Sequence, residues 1–104
     1  MKDCTVTKSP VTAYPPITRA LVLRNRLGLH ARPSALLVKT LQDFKASVQV
    51  LCDGEFANAR SILGLLSLAA GYGSKLTFTA SGPDAGSALE AVQHLFDTNF
   101  QEAY

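Results

Sequence analysis

Between Ile17 and Phe100 the spacing of apolar residues switches repeatedly between two, the repeat of a strand with one buried face, and three to four, the repeat of a helix with one buried stripe. Leu21 and Leu23 share one face of a strand-like run from Ile17 to Arg24. Ser34, Leu37, Val38, Leu41 and Phe44 then follow helical spacing. They predict an amphipathic helix over Ser34 to Lys45, with Pro33 inside the first turn, where a missing N–H costs little. Val48, Val50 and Cys52 alternate with Ser47, Gln49 and Leu51, and Asp53-Gly54 is a hairpin signal leading into a strand from Glu55 to Asn58. Ser61 to Ala69 reads as a short helix closed by Gly71, Tyr72 and Gly73, and Lys75 to Ser81 alternates as a half-buried strand until Gly82 and Pro83. From Asp84 to about Phe100, residues Ala85, Ala88, Leu89, Val92, Leu95 and Phe96 form one helical stripe. The order β-α-β-β-α-β-α predicts an α+β fold, with helices on one side of a four-stranded, mainly antiparallel sheet.

The 104 residues, 47% of them hydrophobic, suffice for one two-layer core and not for two. Residues 1–16, with Pro10, Pro15 and Pro16 among Ser, Thr and Lys, read as a flexible N-terminal arm, leaving 17–104 as the folded domain. No apolar run approaches the roughly 18 residues that span a bilayer, and no secretory signal opens the chain. A cytoplasmic protein without membrane insertion is expected. Cys4 and Cys52 have no metal-ligand spacing and read as free thiols, so neither a metal nor a cofactor is expected.

A formal net charge of +2 argues against nucleic acid as the main partner, but the charge is unevenly spread. Residues 19–75 hold eight Lys or Arg against three acids, whereas 76–104 hold four acids and no Lys or Arg. Arg24, Arg26, Arg32 and Arg60 fall in or near candidate functional loops, which suits phosphoryl groups or acidic protein partners.

Gly28-Leu29-His30-Ala31-Arg32-Pro33 places an imidazole at the threshold of the first helix. Backbone N–H groups in that first turn lack intrahelical acceptors and, with the helix dipole, form a site for an anion such as phosphate. Arg32 adds a cation whose donors match phosphate. A nucleophilic imidazole and an oxyanion site thus coincide. His94, on the polar side of the last helix, reads as a surface residue.

The second helix is apolar on too many sides. Leu65, Leu68 and Ala69 can face inward together, but Ile62, Leu63 and Leu66 then cluster elsewhere as an exposed patch of the kind that binds partners. Ser61 is the natural N-cap of this helix; phosphorylation there would add negative charge beside the patch while the fold tolerates it.

Together, Gly28 through Pro33, Ala59 through Ala69, Gly71, and Ala80-Ser81-Gly82-Pro83-Asp84 closely resemble the histidine-containing phosphocarrier (HPr) family of the bacterial phosphoenolpyruvate-dependent phosphotransferase system, over about residues 17 to 100. The resemblance implies an open-faced β-sandwich with sheet order 1-4-2-3 and three helices on one face. It implies that His30 accepts a phosphoryl group at Nδ1 from phosphorylated enzyme I, itself charged by phosphoenolpyruvate, and passes it to a IIA protein or domain. Arg32 matches the arginine that steadies the phosphoryl group, and Ile62, Leu63 and Leu66 match the partner-docking surface. Ser61 matches the serine modified by HPr kinase/phosphorylase in many members. Such a protein is a monomeric phosphoryl-transfer intermediate and not a classical turnover enzyme. The arm has no counterpart in typical members. Asn25-Arg26-Leu27-Gly28 is similar to other branches, including the nitrogen-related one, so a regulatory or nitrogen-type paralogue outside sugar uptake is the alternative.

Overall fold

A computed structural model describes residues 15–101. Most of the expected arm, residues 1–14, lies outside the described residues, as do 102–104; Pro15 and Pro16 are exposed and without regular structure. The elements are β1 (Ile17–Val22), α1 (Ala31–Leu41), β2 (Ser47–Cys52), β3 (Glu55–Asn58), α2 (Ile62–Ser67), β4 (Lys75–Ser81) and α3 (Ala85–Asp97), followed by one 3₁₀ turn, Asn99–Gln101. The four strands form one antiparallel sheet in the order β1-β4-β2-β3, with β4 running between β1 and β2. Asp53 and Gly54 join β2 to β3 with positive φ at both positions (51° and 82°), the two-residue hairpin that their identities predict.

Period-two alternation decides which sheet face is covered. Leu76, Phe78 and Ala80 on β4 and Val48, Val50 and Cys52 on β2 are buried, whereas Thr77, Thr79, Ser47 and Gln49 on the other face are not. The buried side meets Leu37 and Leu41 of α1, Leu65 of α2, and Ala88, Leu89 and Val92 of α3 in a single core. Phe78 meets Phe96 edge-on, with ring centroids 5.6 Å apart at 82°. The expected α+β architecture, one helical layer on an antiparallel sheet, is the one observed.

β1, α1, α2 and α3 all end earlier than the sequence reading has them. β1 ends at Val22 rather than Arg24, because Leu23 exchanges backbone hydrogen bonds with a turn: its N–H donates to Ser74 O (2.9 Å) and its carbonyl accepts from Gly73 N (2.8 Å). α1 begins three residues earlier than expected and ends at Leu41 rather than Lys45. Residues 44–46 are captured instead by distant groups: the Arg60 guanidinium donates to the Phe44 and Ala46 carbonyls, and the Asp84 carboxylate accepts from Lys45 N (2.8 Å) and Ala46 N (2.9 Å). Gly82, at φ 146°, closes the same clamp, since a Cβ there would lie 2.7 Å from Ala46 Cα. α3 stops at Asp97, short of Phe100. The Thr98 hydroxyl donates to the His94 and Leu95 carbonyls, and Asn99, Phe100 and Gln101 turn left-handed, so that Phe100 packs its ring 5.0 Å from that of Phe96.

Cys52 is buried, and burial, reinforced by the neighbouring Asp53 carboxylate, pushes its thiol above the ordinary value. The folded thiol therefore keeps its proton to higher pH than the unfolded one. Its contribution to stability is complete below the unfolded thiol's pKa and declines as pH climbs from there through the raised folded value. Iodoacetamide at neutral pH is expected to leave the Cys52 peptide unmodified in the native protein and to alkylate it in urea, as read by peptide mass spectrometry; alkylation of native protein at the rate of a free thiol would contradict this burial.

Candidate functional site

The route from β1 to α1 is built to present His30. The Asn25–Gly28 turn is closed by Gly28 N donating to Asn25 O (3.1 Å) and by the fully buried Asn25 side chain, whose Nδ2 donates to Gly28 O (2.6 Å). Gly28 has φ 70°, and a Cβ on it would lie 2.6 Å from both Ala70 O and Gly71 Cα. Only glycine meets both demands. Leu29, next in line, is buried and donates its N–H to Ala70 O (2.9 Å). The chain after α2 therefore braces the residue before His30.

His30 is the N-cap of α1, with extended backbone (φ −87°, ψ −167°), half-buried, and its side chain makes no capping bond to the helix. Its carbonyl accepts from Ser34 N (3.0 Å), which closes the first turn. Ala31 and Arg32 occupy the first two helical positions, where an N–H finds no intrahelical acceptor, and Pro33, third, has no N–H. Two backbone donors and the positive end of an 11-residue helix thus lie directly after the imidazole. The Arg32 side chain is exposed at the same turn, and Lys39 is exposed further along the helix. Such an arrangement can hold the oxygens of an anion next to a nucleophilic nitrogen.

Ser61 is the N-cap of α2, and its Oγ accepts from Gly64 N at 3.0 Å. Ile62, Leu63 and Leu66 are 40%, 80% and 37% exposed, while Leu65 is fully buried. The apolar side chains divide between core and surface as the sequence suggests, with one correction. Ala69, expected to face inward, is exposed with φ 52°, because the helix ends at Ser67 and the chain turns there to bring Ala70 to Leu29.

The structure joins the end of α2 to the His30 loop through Ala70. Ser61 caps the other end of that six-residue helix, about 9 Å away along its axis. Arg60 is not a loop cation available to ligands: its Nε and Nη2 donate to Ala46 O (3.3 and 2.9 Å) and Nη2 also donates to Phe44 O. Arg24 and Arg26 are exposed near the site, and His94 is exposed on α3. The buried support from Asn25 is missing from the sequence reading; only its place three residues before Gly28 signals a turn, and nothing local signals its burial. Among the described residues no group of three or more His, Cys, Asp or Glu could hold a metal, and no helix is long and apolar enough to cross a membrane.

Residues 17–98 match the family model for the PTS HPr component phosphorylation site. The chain is 38% identical over 86 residues to the phosphocarrier protein HPr of Treponema pallidum, covering 83% of this chain and 98% of that one. It is also 38% identical over 87 residues to the phosphocarrier protein NPr of Shewanella violacea, covering 84% and 96%. Among solved structures, that of HPr-C-His from Thermoanaerobacter tengcongensis superposes with a TM-score of 0.81 at 34% identity, over 85% of this chain and 99% of the other. With the sheet order, the three helices and the match along four-fifths of its length in agreement, the chain belongs to the HPr phosphocarrier family of the phosphotransferase system.

Proposed function

We propose that this protein carries a phosphoryl group on His30, taking it from phosphorylated enzyme I, which is charged by phosphoenolpyruvate, and delivering it to a IIA protein or domain. The observation that carries this reading is the coincidence at one helix start of an imidazole not used for capping, two N–H groups without helical acceptors, and Arg32. Nδ1 of His30 attacks phosphorus in line. The new N–P bond forms as the bond to the donor's nitrogen breaks, and the displaced nitrogen keeps that electron pair. The N–H groups of Ala31 and Arg32, with the Arg32 guanidinium, stabilise the phosphoryl oxygens throughout. Delivery repeats the displacement with the acceptor's nucleophile attacking.

Ile62, Leu63 and Leu66 dock the partners. A small apolar patch with a basic rim suits fast association and quick release better than a deep pocket does. Ser61 is the regulatory position, modified by HPr kinase/phosphorylase: a phosphate there sits at the positive end of α2, alters the cap to Gly64 N, and places negative charge beside Ile62 and Leu63. The working form is a cytoplasmic monomer in which residues 1–16 are an arm and 17–104 the carrier domain.

A second reading has a specific observation behind it. The relative named NPr is as similar to this chain as the relative named HPr, at 38% identity each. A nitrogen-type or regulatory paralogue would use the same His30 chemistry with different acceptors, outside sugar transport. Comparing transfer from the phosphorylated protein to sugar-type and nitrogen-type IIA proteins separates the two readings, the faster acceptor identifying the branch.

Incubation with phosphoenolpyruvate and the cognate enzyme I is expected to give one acid-labile, base-stable phosphate per chain, abolished in His30→Ala. A wild-type protein that takes no label, or a His30→Ala protein that keeps it, overturns the carrier reading. With ATP and the kinase, an acid-stable phosphate is expected that Ser61→Ala removes; absence of incorporation into wild type removes the regulatory role.

A further inference from the structure

The outer edge of β1 faces α3 across a polar cavity that the proposed chemistry does not use. Its volume is about 470 Å³, within the range of small-molecule sites. Ala20, Leu21, Val22 and Arg24 line one wall, and Gln93, Phe96, Asp97 and Asn99, from α3 and the turn after it, line the other. A neighbouring cavity of about 450 Å³ shares Gln93 and Asp97 and extends the groove to Arg19, Glu90 and His94. The Arg19 guanidinium donates to Gln93 Oε1 (3.0 Å), which leaves the NH2 of that carboxamide as the donor to anything bound beside it.

Arg24 and Asp97 are both exposed, and among the described residues neither side chain forms an ion pair or a hydrogen bond. One cavity therefore carries one cation and one anion, held apart on its two walls. Asp97 is also the last residue of α3, where the negative end of the helix disfavours a carboxylate; a bound ammonium group would offset that cost. The main chain of the edge strand adds matching groups. Leu23 directs both its N–H and its carbonyl to the β4 side, toward Ser74 O (2.9 Å) and Gly73 N (2.8 Å). These groups alternate in direction along an antiparallel strand, so those of Val22 and Ala20 point to the free edge, which is the cavity wall.

We infer that the cavity between β1 and α3 binds a free α-amino acid as its zwitterion, with the carboxylate held by Arg24 and the ammonium group by Asp97. The carboxylate also accepts from an edge N–H and the ammonium group also donates to an edge carbonyl, so both walls are satisfied by one small molecule. Leu21 and Phe96 give the side chain an apolar floor, and the carboxamides of Gln93 and Asn99 flank it. An internal peptide segment lacks the two charges, and a simple anion or cation satisfies one wall only. The inference goes beyond the phosphocarrier reading and does not depend on it.

The test is titration of the ¹⁵N-labelled full chain with L-serine, L-asparagine and L-leucine in turn, followed by two-dimensional amide NMR. At least one of the three is expected to bind with a Kd below about 1 mM and to shift the amides of Ala20, Val22, Arg24 and Asp97. Arg24→Gln and Asp97→Asn are each expected to weaken that binding about ten-fold, the consequence of losing one charge-assisted contact, and, both side chains being exposed, to melt within a few degrees of the wild type. Acetate and ethylammonium, each one half of the zwitterion, are expected not to saturate over the same range. Absence of shifts with all three amino acids, or shifts that neither substitution weakens, overturns the inference. Acetate binding as tightly as the amino acid reduces the site to an anion contact at Arg24, and equal binding of the uncharged N-acetylalanine methylamide assigns the edge to peptide segments; either result overturns it as well.

Discussion

The approach of Gly28 to the Ala70–Gly71 peptide is the constraint on which the rest of the site depends. A chain leaving an edge strand must turn, pass under the end of α2 and start a helix within eight residues, and it does so with no room for a side chain at Gly28. The hydrogen bond from Leu29 N to Ala70 O fixes the height of that passage, and the fully buried Asn25 fixes its curvature. His30 then emerges half-buried on an extended residue, and the backbone donors of α1 are fixed relative to it before any phosphate arrives. Preorganisation of this kind is what makes hydrogen-bond donors effective toward charge that moves during a reaction.

A second clamp holds the opposite end of α1. Arg60, Asp84 and the space left by Gly82 converge on residues 44–46, which come from the far end of a helix that would otherwise run on. A charged guanidinium donating to main-chain carbonyls, and a carboxylate accepting from main-chain N–H groups, are stronger than neutral bonds and replace helical ones at modest loss. The two clamps together set the length of α1. One end presents His30 and the other is tied to the core.

Much of this was legible in the sequence because it is local. Asp53-Gly54 specifies a two-residue hairpin by its own conformational preferences, and the alternation of Leu76, Phe78 and Ala80 specifies which face of β4 is buried. The division of α2 into a buried Leu65 and an exposed Ile62, Leu63 and Leu66 follows from helical geometry alone. The parts not legible depend on partners far away in the chain. Periodicity carries Phe44 into α1, but Arg60 and Asp84, 16 and 38 or 39 residues on, withdraw the segment that follows Leu41. The same interaction occupies the guanidinium of the half-buried Arg60, which its place in the sequence offers to ligands. Asn25 reads as a turn former; that it is fully buried as a strut beneath the site becomes visible only once α2 and the first turn are assembled. Ala69 inward and Ala69 outward differ by two helical residues, 68 and 69, that the chain declines in order to reach Leu29.

The central claim is that one nitrogen of one imidazole carries the phosphoryl group in a cradle set by the start of α1. NMR of the full chain with ¹⁵N-labelled histidine, recorded during steady phosphorylation by phosphoenolpyruvate and enzyme I, tests it directly. The account predicts that the His30 ring becomes phosphorylated at Nδ1 and that His94 is unchanged. Phosphorylation at Nε2 of His30, modification of His94, or an unmodified His30 while phosphate turns over would contradict it.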